Sequence, residues 1–187
     1  MNLIGSKVIE TNRLILRATE EQDLEILFNI LKIPEVNKYY LTSKIGESFE
    51  EEFPWQMKKL KRAKDKDVFQ WSIVIKDNNK CIGQISVQES KDNPSDIRDI
   101  GWFIDPSEQR KGYAFEAAEN VIKYMFNDVE IKGIITSSAV HNPASFKLME
   151  KLGFIRKNEE TIKHKYTFID EEVDCYQYEL MHDKYFN

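Results

Sequence analysis

Two cysteines, seven glycines and five prolines are all that this chain of 187 residues holds of the residues that staple, loosen or break a fold. Cys81 and Cys175 stand far apart, each inside a strand-like run, so they read as buried reduced thiols rather than a disulfide framework. Neither has the spacing of a metal site, and His141, His164 and His182 do not supply one, so no metal is expected. No linker rich in Pro, Gly or Ser divides the chain, and repeats and low-complexity tracts are absent. One domain over residues 1–187 is therefore expected, long enough to bury a core unaided. No apolar run approaches the length of a membrane span, and Met1 to Lys7 lacks a basic segment leading into one, which makes a soluble cytoplasmic protein the expectation. Positive charge is not in excess either, with 27 basic against 32 acidic residues and a net charge of −5, so nucleic acid is not expected as the main partner.

What the chain does have is a strand, a basic glycine turn and an amphipathic helix in immediate succession. The strand reads Ile97 to Ile104, the turn is Gln109, Arg110, Lys111, Gly112, Tyr113, Ala114, and Ala117, Ala118, Val121, Ile122 and Met125 then recur at helical spacing. The first amides of a helix have no partner inside it and carry the positive end of the macrodipole, so this order builds an anion site. Gly112 and the small Ala114 allow close approach, and Arg110 and Lys111 add charge. A ligand carrying pyrophosphate is expected there. A triphosphate loop would need Gly, four residues, Gly, Lys and Ser or Thr, and a dinucleotide loop would need three glycines; neither is present.

The spacing Gln109-x-x-Gly112-x-Ala114 resembles the acetyl-coenzyme A loop of the GNAT superfamily of N-acetyltransferases. Asn142 to Phe154 resembles the second coenzyme A motif of that superfamily, a helix with Asn142 as N-cap, Pro143 in its first turn and Gly153 past its end. Thr11 to Arg17, leading into Thr19 to Gln22 as a possible capping box for a helix from about Glu20, resembles the opening of the RimJ/RimL-like branch, the ribosomal-protein N-terminal acetyltransferases. Three motifs stand in the right order over nearly the whole chain.

The expected elements are a strand over 10–17, a helix with Leu24, Leu27, Phe28 and Leu31 on one face, and a helical segment over 48–63 that Pro54 should break or restart. A hairpin follows, with strands at 68–76 and 81–90 around Asp77 to Lys80, then the strand at 97–104. The anion-site helix, a strand at 133–140, the second motif helix and strands near 160–169 and 173–181 complete the chain. The resemblance implies the α+β GNAT fold, a mixed, mostly antiparallel sheet flanked by helices.

It also implies chemistry in a wedge between the strands at 97–104 and 133–140. Acetyl-CoA would serve as co-substrate, its pantetheine arm pairing with backbone of Phe103 and Ile104 like an added strand and its phosphates lying on Gln109, Arg110, Lys111, Gly112, Tyr113 and Ala114. A strand amide would polarise the thioester carbonyl, and the acetyl group would pass directly from sulfur to an amine with no metal. Many GNATs place a tyrosine seven residues after the motif asparagine to protonate the leaving thiolate, whereas here that position is Met149. Ser145, three residues after Asn142, matches the serine of the RimJ/RimL-like branch, and its spacing with Leu148, Met149 and Leu152 turns it inward. Its hydroxyl either serves the coenzyme sulfur or bonds back to a carbonyl one turn earlier.

A base must free the attacking lone pair. Glu89 and Asp99 are the candidate carboxylates, although Glu89 could be a solvated strand-end charge and Asp99 could pair with Arg98 or Arg17. Glu116, in the first turn of the anion-site helix, suits a structural role. Asp174 either lines the acceptor site or is an edge charge, His141 reads as polar surface, Tyr39 and Tyr40 lie where the fold closes over its acceptor, and Lys58 to Lys66 reads as a solvated helix face. The acceptor implied by the branch is a protein N-terminal α-amine. The alternatives are a small amine such as a polyamine, an aminoglycoside or an amino acid, or a catalytically silent coenzyme A-binding module. Oligomeric state stays open, a homodimer included.

Overall fold

The computed structural model describes residues 1–39, 46–90, 93–166 and 171–185. The chain opens with β1 (Ile9–Glu10) and β2 (Leu14–Arg17), paired antiparallel, where one strand over 10–17 was expected. Thr11 makes the break, its hydroxyl accepting from the Leu14 amide at 2.9 Å and turning the chain. In α1 (Glu21–Lys32) the capping box is Glu20 with Asp23, not Thr19 with Gln22. Asp23 accepts from the Glu20 amide at 2.9 Å and from Arg17 at 2.6 Å, while Thr19 turns its hydroxyl to Ser72 and Gln84 on the sheet.

After the short α2 (Pro34–Asn37) comes α3 (Phe49–Arg62), which continues through Pro54 instead of breaking there. Pro54 is exposed, so the carbonyl that it leaves unpaired one turn back opens to water, and the Ser48 hydroxyl caps the start by accepting from Glu51. β3 (Phe69–Ile75), β4 (Lys80–Glu89) and β5 (Ile97–Ile104) follow, then a 3₁₀ turn at Pro106–Glu108, α4 (Tyr113–Asn127), β6 (Gly133–Ala139) and α5 (Pro143–Lys151). β7 (Ile155–Arg156), β8 (Ile162–Tyr166), β9 (Glu171–Met181) and α6 (His182–Tyr185) close it. Residues 167–169 of the strand expected near 160–169 lie outside the described residues.

These strands form one sheet in the order β1-β2-β3-β4-β5-β6-β9-β7, with β8 also on β9. Every neighbouring pair is antiparallel except β5 and β6. Helix α4 covers one face, its Ala117, Ala118, Val121, Ile122 and Met125 wholly shielded in the same core as Leu14, Leu16, Trp71, Ile73 and Ile85. Each of the larger side chains contributes about 1.5–3 kcal/mol by leaving water. On the other face, Leu27 and Ile30 of α1 pack with Val74, Cys81 and Phe103. Both cysteines are buried thiols outside any disulfide, as expected, and burial pushes the Cys81 thiol up to about 11. Helix α3 has no buried residue and leans on α1 through Phe49 against Phe28, ring centres 5.7 Å apart. It forms a loosely seated cover over that side of the sheet. Among the described residues no helix is long and apolar enough to cross a membrane.

Candidate active site

Among the described residues the backbones of β5 and β6 pair only at Ile97 with Gly133 and Arg98 with Ile134, after which the two parallel strands separate. Past the fork the Thr136 hydroxyl donates to the Ile100 carbonyl at 2.9 Å, a side chain taking the place of a ladder bond. The opening is a cleft of about 1560 Å³ whose walls include Phe103 and Ile104 of β5, Thr136 and Ser137 of β6, Ser145 of α5 and the start of α4. A strand edge left open inside a molecule is a ready partner for an amide-bearing chain.

At the start of α4, Gly112 is the N-cap at φ 85°, and Arg110 just before it also sits at positive φ, 61°. The amides of Gly112, Tyr113 and Ala114 have no acceptor among the described residues, and these residues line the cleft together with Arg110. That arrangement fits a phosphate group. Gln109 contributes structurally as well, donating from its side chain to the Ile104 carbonyl at 3.2 Å. Lys111 is not brought in: its ammonium lies 2.7 Å from Glu108 and the residue does not line the cleft. The loop's positive charge therefore rests on Arg110 and the amides.

Arg13 is a residue of this site that the sequence pattern did not single out. Its Nε bonds Glu116 at 2.7 Å, its Nη1 donates to the Lys111 carbonyl at 2.9 Å, and its guanidinium lies 4.6 Å from the Tyr113 ring centre. Thr11 completes the brace by donating to Glu116 at 2.6 Å. Glu116 thus has the structural role expected of it, and these bonds hold its carboxyl below its ordinary value against the opposing effect of burial. The signal was the threonine and arginine two residues apart ahead of β2, whose partner lies more than a hundred residues away.

Asn142 caps α5 as expected, its side-chain oxygen accepting from the Ser145 amide at 3.3 Å. The Ser145 hydroxyl has no protein partner among the described residues, so the bond back to a carbonyl is not made, and the residue lines the cleft half-buried. Met149 is buried beside it.

The two candidate bases part company. Glu89 ends β4 with a side chain 80% exposed, 3.6 Å from Arg98, and does not line the cleft. Strand alternation puts Gln88 on the cleft side and Glu89 away from it. Asp99 does line the cleft, and neither suggested arginine takes it, since Arg98 reaches Glu89 and Arg17 reaches Asp23. Its carboxyl meets solvent within the cleft but is surrounded by protein, and that desolvation raises its pKa against the pull of Thr136 and the Ile100 amide.

Asp174 does not line the cleft and pairs with Lys163 at 3.1 Å; β9 is flanked by β8 and by the end of β6 there, so it is a surface charge on an inner strand and not the edge-strand charge expected. His141 is exposed, its carbonyl accepting from the Tyr39 hydroxyl at 3.0 Å, and Tyr39 lines the cleft. Tyr40 lies outside the described residues. Of the basic face on α3, Lys59 turns to the cleft with its ammonium 3.6 Å from the Trp55 ring centre, and desolvation lowers its pKa. Lys58, Lys61, Lys64 and Lys66 stay exposed.

Residues 13–155 match the family model of the acetyltransferase (GNAT) domain. The chain belongs to that family, and its enzymatic class is acetyltransferase, a fold that uses acetyl-CoA. It is 30% identical over 147 residues to the uncharacterized N-acetyltransferase YoaA of Bacillus subtilis, covering 79% of this chain and 82% of that protein. Among solved structures, spermidine N-acetyltransferase from Vibrio cholerae in complex with CoA and spermine superposes with TM-score 0.77 at 22% identity, covering 95% of this chain and all of that one (100%). The ribosomal-protein-S5-alanine acetyltransferase from Vibrio fischeri superposes equally well, TM-score 0.77 at 19% identity over 96% of this chain and 99% of that one. Both likenesses report the fold.

Proposed function

We propose that this acetyltransferase binds acetyl-CoA along the open edge of β5 and the start of α4, and transfers the acetyl group to the N-terminal α-amine of a peptide or protein. The observation that carries the acceptor class is the floor of the cleft. Gln84, Ser86 and Gln88 alternate along β4, with Gln70 of β3 opposite Ser86 and Asp99 of β5 opposite Gln88. Carboxamides donate and accept together and so match a peptide backbone, whereas a polyamine offers only donors and is best met by carboxylates. Asp99 is the one carboxylate on that floor, and Glu35, Glu52 and Glu108 stand elsewhere in the lining of the cleft. The sequence pattern of Thr11 to Arg17, together with Ser145, supports the RimJ/RimL-like branch, and the continuous sheet from β1 to β9 supports one domain over 1–187.

In this reading the backbone of Ile104, on the edge of β5 that faces the fork, holds the pantetheine amides, whereas the Phe103 carbonyl expected to share that task is turned to β4, and Gln109, Arg110, Gly112, Tyr113 and Ala114 hold the phosphates. Asn142 sets the α5 helix so that Ser145 faces the sulfur. Asp99 draws in the ammonium group and takes a proton from it, freeing the lone pair; its raised pKa makes it a stronger base than a solvated carboxylate. A β5 amide stabilises the oxyanion, and the Ser145 hydroxyl donates to the departing sulfur.

The test is acetyl transfer from acetyl-CoA to hexapeptides beginning in alanine, serine or threonine, run beside spermidine. Peptide acetylation supports the reading. Spermidine acetylation alone would overturn the acceptor class, and binding of acetyl-CoA without transfer to either would point to the silent module.

A further inference from the structure

Past the fork on β6, the Ser137 hydroxyl lies 3.1 Å from Nε2 of His164 on β8. Ser137 stands three residues past the last β5–β6 backbone pair and lines the cleft; His164 stands behind it, half-buried and outside the lining. A hydroxyl at a reaction cleft backed by an imidazole is the geometry of a proton relay. Resting on the transferase reading above, we propose that Ser137 and His164 form a proton-accepting pair that serves the amine during transfer.

Proton balance calls for such a group. An ammonium acceptor must lose two protons to become an amide, one before attack and one from the nitrogen of the tetrahedral intermediate. Asp99 takes the first. As the C–S bond breaks and its electron pair leaves on sulfur, the nitrogen proton passes to Ser137 Oγ while the Ser137 hydroxyl proton passes to His164 Nε2, leaving an imidazolium. The sulfur takes one proton from Ser145, which regains one from solvent, and His164 and Asp99 return theirs to solvent. The sum is one acetylated amine, one thiol and one released proton.

The surroundings keep the imidazole neutral and ready to accept. Desolvation lowers its pKa from the ordinary 6.5. On its own side of the sheet it neighbours Ile162 and Val173, against which Tyr39 packs, and Ser137 supplies the polar contact. Of the charges on β8 and β9, Lys163 with Asp174 and Lys165 opposite Glu172 fall on the other side by strand alternation, whereas the exposed Glu171, opposite Tyr166, shares the His164 side, with Glu179 further along the strand. His141, after β6, acts on Asp174 and not on His164.

Two measurements decide this. In the first, the His164 ring is titrated by NMR in the native chain and in Ser137→Ala. A pKa below the ordinary value that moves when the hydroxyl is removed supports the pair; identical titration in both overturns it. In the second, transfer to an alanine-initiated hexapeptide is followed in His164→Ala, where a loss of about tenfold to a hundredfold is expected. Imidazole added to the buffer restores part of that rate, and pyrazole, the same shape without the basicity, does not. Equal rescue by both would mean that His164 only fills space and would overturn the relay. If the native chain leaves the peptide untouched, the acceptor reading fails, and the NMR titration still decides whether the pair exists.

Discussion

Arg13 and Glu116, separated by more than a hundred residues, meet at 2.7 Å and tie the first strand pair to the first turn of α4. Because Arg13 also holds the Lys111 carbonyl, the phosphate loop is braced before any ligand arrives. Arg13→Ala removes two of the loop's supports at once. A charge-assisted bond of this kind is worth about 1.5–3 kcal/mol, so acetyl-CoA affinity should fall about tenfold to a hundredfold, read by calorimetry, with the helical circular dichroism unchanged.

Gly112→Glu puts a carboxylate and a β-carbon at a position with φ 85°, beside amides of residues that line the cleft. Acetyl-CoA binding should vanish in the calorimeter while the protein stays folded. Retained affinity would place the phosphates elsewhere.

Ser145→Ala removes a hydroxyl that no protein group among the described residues holds, so the melting temperature should stay within a degree or two of the native value. The turnover number is expected to fall about tenfold to a hundredfold with acetyl-CoA affinity preserved, a split that rapid kinetics and calorimetry read separately.

Asp99→Asn trades activity for stability. Desolvation raises the carboxyl above its ordinary 3.8, so its ionisation costs the folded state stability that is lost as pH rises through the folded-state value. At neutral pH the Asn variant should therefore melt higher than the native protein while transferring acetyl groups slowly. Below the ordinary value both states hold the proton and the stability gap closes. A native protein that melts higher than the variant at pH 7 would contradict this assignment.

Gly83, in β4, faces the backbone of β5 so closely that a β-carbon would overlap the Phe103 carbonyl oxygen. Gly83→Ala should cost about 1–3 kcal/mol in a denaturant titration and displace β5, the strand that lines the cleft. Acetyl-CoA binding should weaken in the same variant.

The elements written in local pattern were legible from the chain: Ile97–Ile104 and the apolar face of α4 stand where periodicity put them, and Asn142 caps α5 as its place before Pro143 suggested. What escaped was set by tertiary partners. Thr11 ends β1 through a bond to Leu14, Asp23 takes over the cap because Arg17 holds it there, and α3 tolerates Pro54 because the fold leaves it exposed. The same division runs through the site. Gly112, Asn142 and Ser145 belong to short motifs, whereas Arg13 with Glu116 and Ser137 with His164 are joined only by folding. Glu89 and Asp99 looked alike as acidic residues on strands, and only the register of β4 against β5 shows that one faces the cleft and the other does not.

The fork between β5 and β6 has a consequence for the life of the protein as well as for its chemistry. A sheet unzipped from within, stitched past the fork by the Thr136 hydroxyl, is weakest where the proposed function seats the ligand. A ligand that fills the fork at a hundred times its dissociation constant adds about 2.7 kcal/mol to the stability of the whole chain. Heat tolerance and resistance to proteases should then rise and fall with the supply of acetyl-CoA, so that a cell short of that metabolite would lose the enzyme itself along with its substrate.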